Sequence, residues 1–472
     1  MARLPDFHPL EVIRDWGGDD AFRIGDAVTG VCVFGATGSG KTSGPAKHLA
    51  LGYLANDFGG LVLCAKKEER RQWEAWAKAT RREADLVIID AAGKWRFNFL
   101  DWEASRAGEG GGFTINIVAL LDEMARNIAG TAGKEEVGGD NKFFEDALHH
   151  MLTNLVDLPI FADLQVSLPL LRSIVVTAPT SLKELEDQQW KDSSVCWAII
   201  QEAQDKLKGA DEDLLEDLQE CVNYWLREFP VLSEKTRSII VLSFSMLVRP
   251  FITRPLRKLF STDTNVRPED AFDGKVIIVD LPVQEFRLAG RVANLAWKYC
   301  MQIAIMRRTQ PKNGYLRPVF LWADEAQNFV SDFDAEYQAV ARSAGGCTVY
   351  LTQNRESYRR VLGNDDAVDA LLGNLQAKFF CQNSGDTNEW AAKLLGERYI
   401  SVTGTNVSRS EQGMTGGVSR NEQRRYYVEP AQFTTLRRGG EVNNFLVDAV
   451  VYKGGAVFDG LPYKLLTFSQ KG

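Results

Sequence analysis

Little in this chain suggests a metal or disulfide scaffold. Its seven cysteines among 472 residues are odd in number and scattered (Cys32, Cys64, Cys196, Cys221, Cys300, Cys347 and Cys381), and there are only four histidines. No Cys-x-x-Cys spacing occurs, which argues against both a disulfide frame and a structural zinc site. No apolar run approaches the roughly 18–20 residues that span a bilayer. The first residues, Met1-Ala2-Arg3-Leu4-Pro5-Asp6, lack the apolar core of a secretory leader. The expectation is a soluble protein of a reducing cytoplasm, without direct membrane insertion. A basic excess is missing too. The net charge of −8 argues against a DNA-coating protein, although a motor gripping DNA in a local basic channel stays compatible with it.

What is present is sharper. Gly35-Ala36-Thr37-Gly38-Ser39-Gly40-Lys41-Thr42 fits the phosphate-binding pattern G-x-x-x-x-G-K-[ST] at every fixed position. An apolar run, Val28 to Phe34, precedes it and a helical pattern follows, the context that the pattern requires. Glycines let backbone N–H groups curl around a polyphosphate at a positively polarised helix start. Lys41 can reach the β- and γ-phosphates, and the Thr42 hydroxyl can ligate Mg²⁺. The sequence therefore predicts binding of a nucleoside triphosphate with Mg²⁺. Far downstream, Val319-Phe320-Leu321-Trp322-Ala323 reads as a strand buried on both faces and ends in Asp324-Glu325. Asp324 is placed to hold the metal and Glu325 to activate the attacking water.

The organisation is α/β with an interruption. Residues 22–110 alternate apolar runs and helical patterns, with strands expected at 28–34, 60–65 and 86–90 and helices near 42–56 and 68–79. The block resumes with a strand at 275–281, a long helix near 286–308, and strands at 317–323, 347–352 and 377–382. This divides the chain into a first part of a nucleotide-binding domain (1–110), an inserted all-α domain (111–245) and a second part (246–472) with further strands. Residues 113–237 hold 23 acidic and 11 basic side chains, so the acidity concentrates in the insert, where it would suit a basic protein partner or simply a solvated face. Residues 401–427, rich in Ser, Gly, Asn and Arg, read as a mobile loop. Arg409, Arg420, Arg424 and Arg425 within it are candidate phosphate contacts.

Two further features sit where a P-loop motor would use them. The strand 347–352 runs into Gln353, which can touch both the γ-phosphate and the lytic water. Ala341-Arg342-Ser343 ends a helix, and Arg342 can serve either as a cation on the helix dipole or as an arginine finger reaching a neighbouring subunit.

Taken in order, these strings resemble the type IV secretion coupling proteins of the TraG/TraD type, within the FtsK/HerA superfamily of motor ATPases. The resemblance rests on the P-loop, Phe97-Asn98-Phe99-Leu100, Phe143-Phe144-Glu145-Asp146-Ala147 and Gly274-Lys275-Val276. It continues through Asp324-Glu325-Ala326-Gln327-Asn328-Phe329, Ala341-Arg342-Ser343, Leu351-Thr352-Gln353-Asn354, Gly373-Asn374, Gly385-Asp386-Thr387 and Leu394-Leu395-Gly396. It implies that the nucleotide is ATP, bound by a RecA-like P-loop ATPase domain with a mostly parallel sheet and an inserted all-α domain. It also implies a homo-hexamer that passes DNA, or a relaxase–DNA conjugate, through its ring, with the oligomer in the absence of ligand left open. Gln353 would be the nucleotide sensor and Arg342 a finger supplied in trans. Family members usually begin with membrane-spanning helices, and none is visible here. Only Lys66 and Glu68 survive of the Asp-Pro-Lys-Gly-Glu-like turn that often follows the second strand. The expected location is cytoplasmic, docked to the inner membrane or a secretion channel through a partner. A soluble receptor for protein substrates, and a DNA-processing or packaging motor outside secretion, stay open as alternatives.

Overall fold

Val31–Phe34 is buried along its whole length, as are Gly59–Leu63, Val319–Ala323, Gly346–Thr352 and Ala377–Phe380. Such runs have no wet face, and this is what strands covered on both sides by helices require. In this computed structural model, which describes residues 6–17, 20–129, 139–410 and 413–471, the chain forms two units. The first comprises the residues up to Leu86, Ala271–Val276 and Gln302 onward; the second comprises Val87–Asp270 and Ile277–Met301.

In the first unit the strands lie in the order 464–469, 446–453, 377–380, 31–34, 346–352, 319–323, 59–63. The P-loop strand Val31–Phe34 is parallel to both neighbours, pairing Val33 with Leu351 on one side and with Phe379 on the other. Val319–Ala323 runs parallel between Gly346–Thr352 and Gly59–Leu63. Leu446–Lys453 is antiparallel to Ala377–Phe380, and Lys464–Ser469 is antiparallel to Leu446–Lys453. The carboxyl ends of five parallel strands thus share one edge of the sheet, where open α/β folds place their ligands.

Packing behind the sheet is dense and aromatic. Helix Glu69–Thr80 seats Trp73 on the Asp-Glu strand, stacked on Phe320 at 5.2 Å and edge-on to Trp322 at 5.3 Å. Trp73 is 2% exposed. Aromatic pairs in such geometries add about 0.5–1.5 kcal/mol beyond area burial.

The second unit is mainly helical. Asn98, Ser194, Asp211 and Ser233 each cap a helix through a side-chain oxygen that accepts a backbone N–H. The unit is wider than the insert read from sequence, because helix Phe99–Ala104 belongs to its core: Phe99 packs on Phe251 at 5.3 Å and on Phe260 at 6.2 Å. Among the described residues, no helix is long and apolar enough to cross a membrane.

The described part of 401–427 is not a loop. Most of it belongs to an antiparallel hairpin in which Glu397–Ser410 pairs with Gly413–Tyr426. Tyr399 and Val418 are 73% and 72% exposed. Over 397–405 and 418–425, almost every side chain is exposed, so these parts of the hairpin lack the in–out alternation that marks a half-buried strand and read in sequence as a polar loop. The side chain of Arg409 lies outside the described residues.

Candidate functional site

The P-loop turns immediately after Phe34. Gly40 adopts φ +84°, and a Cβ there would come within 2.5 Å of Val447. At Gly35 a Cβ would lie 2.3 Å from the buried Ser39 Oγ. Both positions therefore require glycine, one for backbone conformation and one for space. The helix that follows opens on a widened turn, Thr42–Ala46, and becomes regular over Lys47–Ala55. Pro45 has no N–H to offer, and Ala46 N donates to Lys41 O at 3.1 Å instead.

This start brings the two halves of the sequence motif together. Thr42 Oγ1 donates to Asp324 Oδ2 at 2.8 Å, joining residues 282 positions apart. Lys41, only 6% exposed, places Nζ 3.5 Å from Glu325 Oε1. Glu325 Oε2 accepts from Gln327 Nε2 at 2.8 Å and from Gln353 Nε2 at 3.4 Å. Asn383 Nδ2 in turn holds the Gln353 carbonyl at 2.6 Å. Glu325 has φ +59°, a left-handed conformation unusual for a residue with a side chain and typical of functional sites. Its amide donates to Asp324 Oδ1 at 3.0 Å, and its carbonyl accepts from Asn328 Nδ2 at 2.9 Å, so the strained turn is held by its own neighbours.

The electrostatics centre on one carboxylate. Burial pushes the Glu325 carboxyl up, but the Lys41 charge and hydrogen bonds from Lys66 and Gln327 outweigh it and bring the pKa down to about 2. Lys66 is the residue that sequence reasoning noted but gave no role. Its ammonium donates to Glu325 Oε1 at 2.7 Å and lies 3.8 Å from Asp324. For Lys66, burial favours the neutral form, yet Asp324 and Glu325 raise its pKa above the ordinary lysine value. Behind it the buried Glu69 accepts the backbone N–H groups of Ala65 and Lys66. Burial and the nearby Asp324 push the Glu69 carboxyl well above its ordinary value. The signal for Lys66 was positional: it follows strand Gly59–Leu63, which neighbours the Asp-Glu strand.

A cavity of about 610 Å³ joins these parts, lined by the P-loop from Ala36 to Ser43 and by Lys66, Glu325, Gln353 and Gln470 among others. Lys41, Thr42, Asp324, Glu325 and Gln353 therefore converge within one chain. Arg342 does not join them. It lies in the turn Arg342–Ala344 that precedes Gly346–Thr352. That strand runs seven residues to Gln353, so Arg342 sits at the opposite edge of the sheet, roughly 20 Å away. As for metal, the Thr42 hydroxyl and Asp324 carboxylate are hard oxygen donors in contact, which suits Mg²⁺ completed by phosphate oxygens and water. Among the described residues no cluster of three or more His, Cys, Asp or Glu side chains could hold a metal ion.

Comparison with known proteins agrees with this architecture. Residues 318–438 match the family model described as the TraM recognition site of TraD and TraG. No curated protein matches the chain in sequence. Among solved structures, the plasmid coupling protein TrwB in complex with the non-hydrolysable ATP analogue ADPNP aligns with a TM-score of 0.60 at 14% identity, covering 98% of this chain and 90% of that one. The same protein with the GTP analogue GDPNP gives 0.60 at 14% identity, covering 98% and 91%. Its complex with ADP and Mg²⁺ gives 0.59 at 14% identity, covering 96% and 87%. The fold, a RecA-like α/β unit with a mostly parallel sheet accompanied by a helical unit, is that of TrwB.

Proposed function

We propose that the chain is an ATP-hydrolysing coupling ATPase that moves or delivers DNA during conjugative transfer. The observation that carries this reading is the convergence of Lys41, Thr42, Glu325 and Gln353 on one cavity at the carboxyl edge of the sheet, with Asp324 held against Thr42. The P-loop amides and Lys41 would bind the triphosphate, and Thr42 and Asp324 would hold Mg²⁺, which would supply positive charge to the transferring phosphoryl group. Glu325, ionised far below neutral pH, accepts a hydrogen bond from water and orients it in line with the γ-phosphate. Gln353 touches Glu325 and faces the cavity, so it is suited to report whether the γ-phosphate is present.

TrwB is described as a conjugative coupling protein that has been seen with ATP and GTP analogues and with ADP and Mg²⁺. The family model over 318–438 adds a protein partner of the TraM kind. A hexamer with Arg342 contributed to the neighbouring subunit's site, and docking near the inner membrane through a partner, complete the proposal. Its test is steady-state ATP hydrolysis without DNA, with single-stranded DNA and with duplex DNA, using Glu325→Gln as the blank. Stimulation by either DNA, absent in the variant, supports a nucleic-acid motor. Hydrolysis indifferent to DNA would overturn translocation and leave an ATPase serving a protein partner.

A further inference from the structure

The two hydroxyls that follow Lys41 point to opposite flanks of the cavity. Thr42 Oγ1 is bound to Asp324 on the carboxylate side. Ser43 Oγ accepts a hydrogen bond from Gln470 Nε2 at 2.5 Å on the other side. Gln470 follows strand Lys464–Ser469, which lies three strands from the P-loop strand, away from the Asp-Glu strand. It is fixed from several directions. Its Oε1 accepts the Gly440 N–H at 2.7 Å, and its carbonyl accepts from Lys47 Nζ at 3.1 Å. Gly439 packs so closely that a Cβ there would lie 2.3 Å from Oε1. Next to it, the Ser469 carbonyl contacts His48 Nε2 at 3.2 Å. Gln470 nonetheless lines the cavity together with Ser43 and Lys47.

The polarity of a bound nucleotide follows from this layout. Its γ-phosphate belongs on the flank that holds Glu325 and Gln353, so its ribose and base extend toward the flank walled by Ser43, Lys47 and Gln470. We propose that Gln470 is the nucleoside-recognising residue of this site, contacting the ribose–base end of the nucleotide; the inference rests on the ATP-binding reading above. A carboxamide held in place by a serine and a backbone amide offers both donor and acceptor capacity to a purine edge or a ribose hydroxyl, and a preorganised group binds without a large ordering cost.

The experiment compares binding of ATP and of inorganic tripolyphosphate, which lacks the nucleoside, to the wild-type chain and to Gln470→Ala, Ser43→Ala and Lys41→Ala. Gln470→Ala should weaken ATP binding about tenfold or more while leaving tripolyphosphate within about twofold, a difference of the size one well-placed hydrogen bond supplies. Ser43→Ala, which frees the carboxamide, should shift binding in the same direction by less. Lys41→Ala should weaken both ligands. Equal losses for ATP and tripolyphosphate in Gln470→Ala would overturn the proposal, because Gln470 would then only shape the phosphate loop. So would no loss for either. Gln470→Leu keeps the bulk of the side chain and should reproduce the split if Gln470→Ala does not fold; thermal midpoints without ligand verify folding. Wild-type chain that binds neither ligand would overturn the ATP-binding reading itself, a result distinguishable from failure at Gln470 alone.

Discussion

Lys66 Nζ lies 2.7 Å from Glu325 Oε1, the same oxygen that Lys41 Nζ approaches to 3.5 Å. Two cations, one from the P-loop and one from the turn after strand Gly59–Leu63, therefore converge on a single carboxylate. The arrangement explains how a largely buried Glu stays ionised: each partner offsets the desolvation that would otherwise neutralise it. It also links Glu325 to two elements that are remote in sequence.

The pH dependence follows with a definite sign. Glu325 titrates near 2 in the folded protein, below an ordinary Glu at about 4.3. Its ion pairs stabilise the fold above that ordinary value, and the contribution is lost as pH falls toward 2. Replacing Lys66 with Met removes one hydrogen bond and one positive charge, so the Glu325 pKa should rise. In pH–rate profiles the acid limb of ATP hydrolysis should shift to higher pH, while at neutral pH, where the carboxylate is ionised with either pKa, no loss of turnover is expected from titration. An unmoved acid limb would show that Lys66 does not tune this carboxylate.

Removing the carboxylate itself is the larger perturbation. Glu325→Gln should cut turnover by about 100-fold or more, in keeping with general-base effects, while nucleotide affinity stays within a few-fold. Single-turnover hydrolysis and equilibrium binding separate the two.

The contact between Thr42 and Asp324 predicts metal behaviour. Thr42→Ala and Asp324→Asn should each raise the Mg²⁺ concentration for half-maximal hydrolysis by about tenfold, because each removes one oxygen ligand or its charge. A Mg²⁺ titration at fixed ATP measures this, and a curve identical to wild type would remove these residues from the metal set.

Stability depends on the aromatic layer under the same strand. Trp73→Ala deletes the ring stacked on Phe320 and edge-on to Trp322 and should cost about 3–5 kcal/mol, read from denaturant midpoints at unchanged slope.

The hairpin supplies a test of DNA contact. Arg424 pairs with Glu397, and Arg425 lies 4.0 Å from Glu429, whereas Arg420 faces Thr403 across the ladder. If the hairpin tracks a phosphate backbone, Arg420→Gln should lower the salt slope of DNA binding by about one. A slope unchanged in the triple variant at Arg420, Arg424 and Arg425 would exclude the hairpin from the DNA path.

Legibility in the sequence tracked burial and periodicity. The parallel strands showed as continuous apolar runs, and all five expected around the P-loop and Asp324-Glu325 are present within a few residues. Five of the six chemically assigned side chains converge because motif spacing encodes strand ends. Sheet order is not written in any local pattern, so the approach of Lys66 to Glu325, and of Gln470 to Ser43 across 427 positions, could not be read. The hairpin escaped because its stretches 397–405 and 418–425, exposed almost throughout, have no apolar period. The edge of the helical unit was misplaced because Phe99 looks equally at home in either unit until its partners Phe251 and Phe260 are known.

The two strands that flank Val31–Phe34 are Gly346–Thr352 and Ala377–Phe380. During translation the P-loop strand therefore emerges with neither ladder partner, and none exists until synthesis has passed residue 346. The second unit, by contrast, has its last residues once Met301 is made. Vectorial synthesis therefore lets the second unit gather all its residues before the strands on either side of Val31–Phe34 can pair, which leaves buried apolar strands of the first unit without their ladder partners for longest.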